Sequence, residues 1–289
     1  MYMPDFAYHA PQTLDEACTL LAELGNKAIV LAGGTDVLHK MKVGKLAPEN
    51  LVSLKHLDDL RTIRHEPGRG IVMGALTSHN AIYTSKLLQE RFLSLPMAAH
   101  TMASNQICNM GTVGGNIVNG VPSADLPPIL IALNASIRLV SVKGERTMPL
   151  EDFFHGAAET VIAPGELLAD ITIPDQSTTG STYMKFGLRR SGALAVVGVA
   201  VSVRVAGDIL EDARVVLASA APTVMRAKGA EDFLRGKKIN DDLLAEAGEK
   251  AAAASRPRDS IRGSAEYRRN LVGVLTKRAL RKAIDEGHV

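Results

Sequence analysis

The 289-residue sequence has only two cysteines, Cys18 and Cys108, which lie far apart. A protein-bound iron–sulfur cluster usually takes four cysteine ligands, and a common zinc site takes a Cys or His pair at short spacing. Neither cysteine has such a neighbour, so the chain cannot hold an ordinary cluster of its own. Two isolated thiols are also more typical of a reducing compartment than of a secreted, disulfide-linked protein.

The net charge is also small. The sequence has 33 Lys and Arg and 31 Asp and Glu, which gives a formal net charge of +2. No run of five or six like charges occurs, which argues against nucleic acid as a partner. No apolar run is long enough to span a membrane, and no basic segment followed by an apolar one opens the sequence. We therefore expect a cytoplasmic protein without a membrane span.

Capping residues and apolar spacing predict a mixed chain of helices and strands. Thr13 and Glu16 form a capping box at the start of a helix that continues at helical spacing to Leu24, before Gly25. Short apolar runs predict strands over 28–32, 51–54, 70–74, 137–142 and 167–173. Two more helices are expected, one from Thr77 or Ser78 through Leu88 and one from Leu95 to Ala103.

The last third of the sequence has a pattern of its own. Strands are predicted over 196–205 and 213–218, and helices over 241–254 and 264–284. A polar, Ser/Thr-rich connection over 174–182 precedes this part and predicts a domain boundary. A chain of this length usually divides into two or three domains, so we expect an α+β protein of that kind.

A glycine-rich segment, Ala32-Gly33-Gly34-Thr35-Asp36, follows the first long strand and is a candidate binding site. Glycine lets the backbone turn with positive φ, so that consecutive N–H groups can point at phosphate oxygens. Taken alone, the segment favours an ordinary turn, because a Gly-Gly pair at a strand end is commonly no more than that. It has neither the Gly-Lys-Ser/Thr of a P-loop nor the GxGxxG spacing of a dinucleotide-binding fold.

A second candidate segment runs from Asn105 to Asn119 and combines glycines with asparagines. It is too polar for a core strand and too glycine-rich for a helix, so we expect an irregular loop. Its backbone donors and its hydroxyl and amide side chains, with Asp125 close behind, suit hydroxyl or imide groups of a ligand. An asparagine-rich structural loop is the alternative, but one ligand with two phosphates would use both segments.

The two segments together resemble the two FAD-binding signatures of the medium, flavoprotein subunit of molybdenum hydroxylases. This family includes the xanthine, carbon monoxide and nicotinate dehydrogenases. The signatures are residues 32–36 and Gln106 through Asn116, in the family's order and spacing. The segments Pro122 to Pro127, Lys185 to Arg190 and Ser264 to Arg269 are also similar to recurring segments of the family. The resemblance covers essentially the whole chain.

The resemblance implies FAD as the cofactor and assigns its contacts residue by residue. One domain would wrap the pyrophosphate with Val30, Leu31, Ala32, Gly33, Gly34, Thr35, Asp36 and Val37. A second would do so, mostly through backbone donors, with Gly111, Thr112, Gly114, Gly115 and Asn116. Neither loop contains Arg or Lys, so oriented amides and helix ends would balance the phosphate charge.

The remaining implied contacts involve the ring systems of FAD. Asp125 would bind the flavin or its ribityl chain, and Lys185 would lie near the isoalloxazine ring. A cation there would stabilise negative charge on the reduced flavin. Met102 and Leu168 match positions that flank adenine in relatives, and Ala103 is a further implied cofactor contact. No residue of the chain is expected to be catalytic in its own right, and none to bind a metal.

The resemblance also implies the fold and the partners. The fold would be the two-domain FAD-binding fold of the vanillyl-alcohol-oxidase/PCMH type plus a C-terminal α+β domain, with boundaries at 1–55, 56–173 and 174–289. A large subunit would hold molybdopterin and oxidise the substrate. A small subunit with two two-iron two-sulfur clusters would pass electrons to the FAD of this chain, and an external acceptor such as NAD+ would receive them.

Two other functions stay open at this point. A stand-alone FAD-dependent dehydrogenase or reductase of the same wider fold would need its own substrate-protonating group, and the sequence offers no obvious one. A non-catalytic assembly module would leave the glycine loops vacant.

The sequence also departs from the family, because Cys108 stands where relatives commonly carry Arg. The extra four-iron cluster of the hydroxybenzoyl-CoA reductase branch is excluded by the cysteine count.

Overall fold

The N-terminal part forms a small parallel sheet covered by a helix. A computed structural model describes residues 3–175, 180–189 and 191–286 of the chain. The elements of this part are β1 (Ala7–His9), α1 (Leu14–Leu24), β2 (Ala28–Leu31), α2 (Val37–Lys42) and β3 (Asn50–Ser53), with strand order β1-β3-β2. The capping box is confirmed, because the Thr13 hydroxyl accepts from the Glu16 N–H and Gly25 ends α1 with φ +55°.

An antiparallel sheet of five strands follows, in the order β4-β5-β10-β6-β7. Its first two strands are β4 (Ile63–Glu66) and β5 (Gly70–Gly74). The helices α3 (His79–Thr84), α4 (Lys86–Arg91), α5 (Ser94–His100), α6 (Asn105–Met110), α7 (Val113–Val118) and α8 (Leu126–Ala132) come next. The chain returns through β6 (Ser136–Ser141), β7 (Gly144–Pro149), the paired β8 (Phe154–Gly156) and β9 (Glu159–Thr160), and β10 (Leu167–Ile173). The predicted strands over 70–74 and 167–173 are confirmed and pair with each other.

Two helix predictions and one loop prediction in this part are wrong in detail. The helix expected through Leu88 is broken at Ser85, whose hydroxyl accepts from the Leu88 N–H and starts α4 anew. The helix expected to end at Ala103 ends at His100, because Ala103 has φ +33°. The irregular loop expected over 105–119 instead contains the two short helices α6 and α7.

Tertiary contacts explain why α7 forms although its glycines have low helix propensity. Val113 and Ile117 of α7 are fully buried, and burial of this kind offsets the helix penalty of glycine. The N–H groups of Val113 and Gly114 donate to carbonyls outside the helix, those of Thr77 and Ala75. The short helix is therefore held in place by the end of β5 rather than by its own propensity.

The last third of the chain folds as expected into a sheet covered by helices. It comprises β11 (Gly180–Gly187), β12 (Ala195–Ala206), β13 (Ile209–Ala218), β14 (Met225–Arg226), α9 (Lys228–Leu234), β15 (Lys237–Lys238), α10 (Asp241–Ala254) and α11 (Ala265–Glu286). The strands are antiparallel, and the valines of β12 that face α10 and α11 form one buried core with them. The predicted α+β class is confirmed.

The three larger sheets fall in three successive stretches of the chain, and the two-stranded β8–β9 sheet lies within the second stretch. The first lies within 7–53, the second within 63–173 and the third within 180–238. Residues 176–179 of the expected boundary segment lie outside the described residues. No helix among the described residues is long and apolar enough to cross a membrane.

Candidate functional site

A cavity of about 560 Å³ is lined by both glycine-rich segments. Sixteen of the eighteen predicted site residues line it, namely Val30, Ala32, Gly33, Gly34, Thr35, Asp36, Val37, Met102, Ala103, Gly111, Thr112, Gly114, Gly115, Asn116, Asp125 and Leu168. Leu31 and Lys185 are not among the lining residues. Leu31 instead continues β2, where its carbonyl accepts from the Leu54 N–H.

The two glycine-rich segments touch each other through their backbones. A Cβ added at Gly33 would lie 1.8 Å from the carbonyl oxygen of Met110, so no other residue fits there without moving one of the segments. A Cβ at Gly114 would lie 2.7 Å from both the Cβ and the carbonyl oxygen of Ala75. The glycines at these two positions are required by protein packing, before any ligand is considered.

The first segment presents unused backbone donors to the cavity. Its chain turns at Gly34, which has φ +75°, and then enters α2. The carbonyls of Gly34 and Asp36 accept from the N–H groups of Leu38 and Lys40. Within residues 3–175, 180–189 and 191–286, the N–H groups of residues 33–36 have no hydrogen-bond acceptor. Four adjacent donors are therefore available to a ligand.

The second segment differs from the expectation that it would act mostly through backbone donors. The N–H groups of Gly111, Val113, Gly114, Gly115 and Asn116 all donate within the chain, Gly115 to the Thr112 hydroxyl at 3.1 Å. Helix α7 and its cap use these donors. The segment instead offers a side chain, because Asn116 Oδ1 is buried without a hydrogen-bond partner among the described residues.

Asp125 lies at the cavity wall and is held by two side chains of β11. Lys185 Nζ donates to Asp125 Oδ2 at 2.7 Å, and the Tyr183 hydroxyl donates to Asp125 Oδ1 at 2.7 Å. The Lys185 and Asp125 side chains are each 8% exposed. Burial raises the pKa of the Asp125 carboxyl, and its bonds to Lys185 and Tyr183 oppose that rise. Lys185 therefore acts on the cavity through Asp125.

The neighbouring strand makes room for this arrangement. A Cβ at Gly198 of β12 would lie 2.6 Å from the Tyr183 hydroxyl oxygen, so glycine is needed beside the ring. Burial and the nearby Asp125 carboxylate raise the pKa of Tyr183 well above its usual value, so its hydroxyl remains a donor. Sequence reasoning did not identify Tyr183, because nothing in the strand pattern shows which of its side chains meets Asp125.

Met102 lines the same cavity as Asp125, and the residue before it contacts Lys185. Lys185 Nζ also donates to the carbonyl of Thr101 at 3.3 Å, and Met102 is the next residue. The Cys108 thiol, which stands at the family's Arg position, donates to the Met102 carbonyl at 3.3 Å.

His79 lines the same cavity and is 3% exposed. Its Nδ1 is buried and has no hydrogen-bond partner in the part of the chain that the structure describes. Its ring packs on Gly111, where a Cβ would lie 2.9 Å from both Cδ2 and Nε2. Burial lowers the pKa of His79 to about 4, so the imidazole is neutral at physiological pH.

The depressed pKa of His79 predicts a loss of stability in acid. The unfolded chain takes up this proton near the ordinary pKa of 6.5, whereas the folded chain does so only at about 4. The contribution to the free energy of unfolding is complete above about pH 6.5 and falls by about 3 kcal/mol as the pH drops to about 4. Denaturant unfolding of wild type and His79→Gln across this range measures it. The variant should have the shallower pH dependence; parallel curves would contradict the assignment.

Several lining residues were not found from the sequence, above all Lys40 of α2, whose Nζ donates to Asn119 Oδ1 at 3.2 Å. Prediction of a helix that begins directly after Asp36 would have identified Lys40. The two residues are then one helical turn apart and lie on the same face of the helix. Glu166 lines the cavity too and accepts from Arg146 at 2.7 and 2.8 Å. Gly192, Ala193 and Leu194 complete the wall from the last third of the chain.

These features suit an organic ligand with phosphates and polar rings. The cavity has the size of a cofactor pocket, and its walls are mostly apolar with a few polar groups. Four free N–H groups suit phosphate oxygens, while the orphaned Asn116 Oδ1 and His79 Nδ1 need partners that a ligand can supply. No cluster of three or more metal-binding side chains occurs over the described ranges.

Comparison with protein families agrees with this chemistry. Residues 4–176 match the family model for the FAD binding domain in molybdopterin dehydrogenase. Residues 181–283 match the model for the CO dehydrogenase flavoprotein C-terminal domain. The first match contains both glycine-rich segments, and the second begins within β11. The cofactor expected from the sequence, FAD, is confirmed.

Individual proteins match over their full length. The carbon monoxide dehydrogenase medium chain of Hydrogenophaga pseudoflava is 37% identical over 284 residues, 98% of each chain. The glyceraldehyde dehydrogenase medium chain of Sulfolobus acidocaldarius is 33% identical, over 98% of this chain and 99% of that one. The solved structure of carbon monoxide dehydrogenase from Hydrogenophaga pseudoflava has a chain that superposes with a TM-score of 0.95, at 36% identity and 99% coverage of both. The predicted fold class is confirmed.

Proposed function

Because this chain belongs to the FAD-binding medium subunits of the molybdenum hydroxylases, we propose that it passes electrons from a partner's iron–sulfur clusters to an external acceptor. It is the flavoprotein subunit of an oxidoreductase. The observation that carries the proposal is an FAD-sized cavity lined by both signatures, in a chain whose two cysteines cannot hold a cluster. Bound FAD supplies the chemistry that exchanges electron pairs with single electrons.

Different residues of the chain are proposed to bind different parts of FAD. The N–H groups of residues 33–36 bind the pyrophosphate, as four adjacent free donors support. Asn116 Oδ1 accepts from a hydroxyl of the ribityl or ribose part, because it is buried without another donor. Leu168 contacts adenine, and Leu31 contributes only by shaping the strand before the turn.

The Asp125–Lys185 pair is proposed to face the isoalloxazine end of FAD. Lys185 reaches Asp125 and Thr101, and the nearby carbonyl of Ala103 accepts from the N–H of Gly192. Gly192, Ala193 and Leu194 lie between β11 and β12 and line the cavity. Leu194 is 58% exposed and Ile107 is 38% exposed, so this end meets the surface of the chain. Electron exchange with other proteins requires such an accessible end.

The domain boundaries are proposed at 1–55, 56–173 and 174–289. The support is that each backbone sheet is complete within one of these stretches. The cavity draws residues from all three, with Val30 from the first, Gly115 from the second and Leu194 from the third. FAD would therefore sit where the three units meet.

The partners are proposed to be a large molybdopterin-binding subunit and a small subunit with two two-iron two-sulfur clusters. The relatives are medium chains of dehydrogenases, a description that itself implies larger and smaller chains. NAD+ is proposed as the external acceptor. A cytoplasmic location is supported by two free thiols, one buried at Cys18 and one half-buried at Cys108.

Purification of the chain from its source tests this function. We expect FAD absorption overlaid with iron–sulfur bands, two further chains in stoichiometric amount, and reduction of NAD+ by the complex when its substrate is added. Removal of the small subunit should stop NAD+ reduction while leaving FAD in place. Substrate-dependent turnover by the isolated chain would instead indicate a stand-alone dehydrogenase, and a preparation that takes up no FAD would indicate an assembly module.

A further inference from the structure

The charges around the cavity are unequally compensated. Three carboxylates line it, those of Asp36, Asp125 and Glu166. Asp125 is paired with Lys185 at 2.7 Å and Glu166 with Arg146 at 2.7 Å, so two of the three have cations of their own. Of the lining residues in the described ranges, Lys40 alone carries an ammonium or guanidinium group. A pyrophosphate entering this cavity brings two negative charges that the paired cations do not balance.

Lys40 is placed between the two glycine-rich segments. It lies in α2, and its N–H donates to the carbonyl of Asp36, next to the four free donors of residues 33–36. Its Nζ donates to Asn119 Oδ1 at 3.2 Å. Asn119 ends α7, and its own N–H donates to the carbonyl of Gly115. The Lys40 backbone therefore belongs to α2, which follows the first glycine-rich segment. Its ammonium group is hydrogen-bonded to Asn119 at the end of the second segment.

We propose that Lys40 is the cation that balances the pyrophosphate of FAD and that Asn119 is a positioning residue for its ammonium group. The proposal rests on FAD binding by this chain. Neutral N–H donors orient phosphate oxygens, but an ammonium group adds a charge-assisted bond, which is about twice as strong as a neutral one. Asn119 limits the freedom of a flexible side chain that would otherwise point into solvent.

FAD binding by Lys40→Met tests the inference. FAD is released from the full chain and titrated back, and its dissociation constant is measured at low and at high ionic strength. We expect Lys40→Met to weaken FAD binding at low salt by at least about 10-fold, the effect of one charged hydrogen bond. The difference from wild type should shrink at high salt, because ions screen the ammonium group near the surface. The absorption spectrum of bound flavin should not change.

Three further variants separate charge from structure. Lys40→Arg should restore most of the affinity, since it keeps the charge. Lys45→Met removes an exposed lysine that does not line the cavity, and it should bind FAD like wild type. Asn119→Ala should weaken FAD binding in the wild-type chain, but it should add little to Lys40→Met if it acts through that lysine.

Specific outcomes would overturn the inference. Unchanged FAD affinity in Lys40→Met would refute it, as would equal losses in Lys40→Met and Lys45→Met or a loss that high salt leaves intact. None of these results would contradict FAD binding by the chain, because the titration of the wild-type protein tests that separately. A wild-type chain that failed to bind FAD would instead contradict the proposed function.

Discussion

Gly115→Trp is expected to give a folded protein that binds no FAD. Gly115 lines the cavity, and a Cβ built on it would meet only the Thr112 Oγ1, at 3.0 Å. The backbone around this glycine therefore tolerates a side chain, while an indole would occupy space that the cofactor needs. We expect the FAD dissociation constant to rise at least about 100-fold, equivalent to roughly 2.7 kcal/mol of lost binding, so that the purified variant contains no flavin detectable by absorbance.

Two controls distinguish a filled cavity from a damaged fold. Gly115→Ala adds one methyl group, which requires the Thr112 hydroxyl to move slightly, and should keep most of the flavin. Gly229→Trp adds the same indole in α9, where a Cβ has no atom within 4 Å, and should leave flavin content unchanged. Full flavin in folded Gly115→Trp would show that the cofactor does not occupy this part of the cavity.

Lys185→Met is expected to destabilise the protein while leaving FAD bound. The variant leaves the buried Asp125 carboxylate with Tyr183 as its remaining side-chain partner. Removing one member of a buried ion pair costs about 3 kcal/mol, and protonation of Asp125 would limit that loss. Where Asp125 remains ionised, the uncompensated charge should lower the reduction potential of the flavin by about 30 mV or more. Denaturant unfolding and a redox titration measure the two effects.

Two control variants for Lys185→Met change the other partners in the contacts of Asp125 with Lys185 and Tyr183. Asp125→Asn with Lys185→Met removes both charges and should be more stable than Lys185→Met alone. Tyr183→Phe removes one hydrogen bond to Asp125 and should have a smaller effect on stability than the loss of Lys185. A reduction potential that is unchanged in Lys185→Met, at a pH where Asp125 remains ionised, would place the pair away from the isoalloxazine ring.

Local signals in the sequence predicted the parts of the fold that depend on local chemistry. The helix after Thr13 and the strand over 167–173 were predicted, because a capping box and an uninterrupted apolar run each specify one structure. The resemblance brought together the two glycine-rich segments, and the structure places both on one cavity. No local signal could have shown that Gly33 packs on the carbonyl of Met110.

The predictions failed where distant contacts decide the structure. Helix α7 forms despite Gly114 and Gly115 because β5 and the core hold it, so the donors expected for phosphate are used by the protein. Lys40 was missed because α2 was not predicted. Tyr183 was missed for a related reason, since its role depends on Gly198 in the adjacent strand and on Asp125 at the start of α8.

The origin of the cavity walls has a consequence for biosynthesis. The lining residues extend from Ala28 to Leu194 in the chain, and the close approach of Gly33 to Met110 exists only when both segments are folded. A nascent chain that has not yet emerged beyond Leu194 therefore lacks one wall of the pocket. FAD capture must follow synthesis of that segment, so newly made protein passes through a flavin-free stage before the cofactor is acquired.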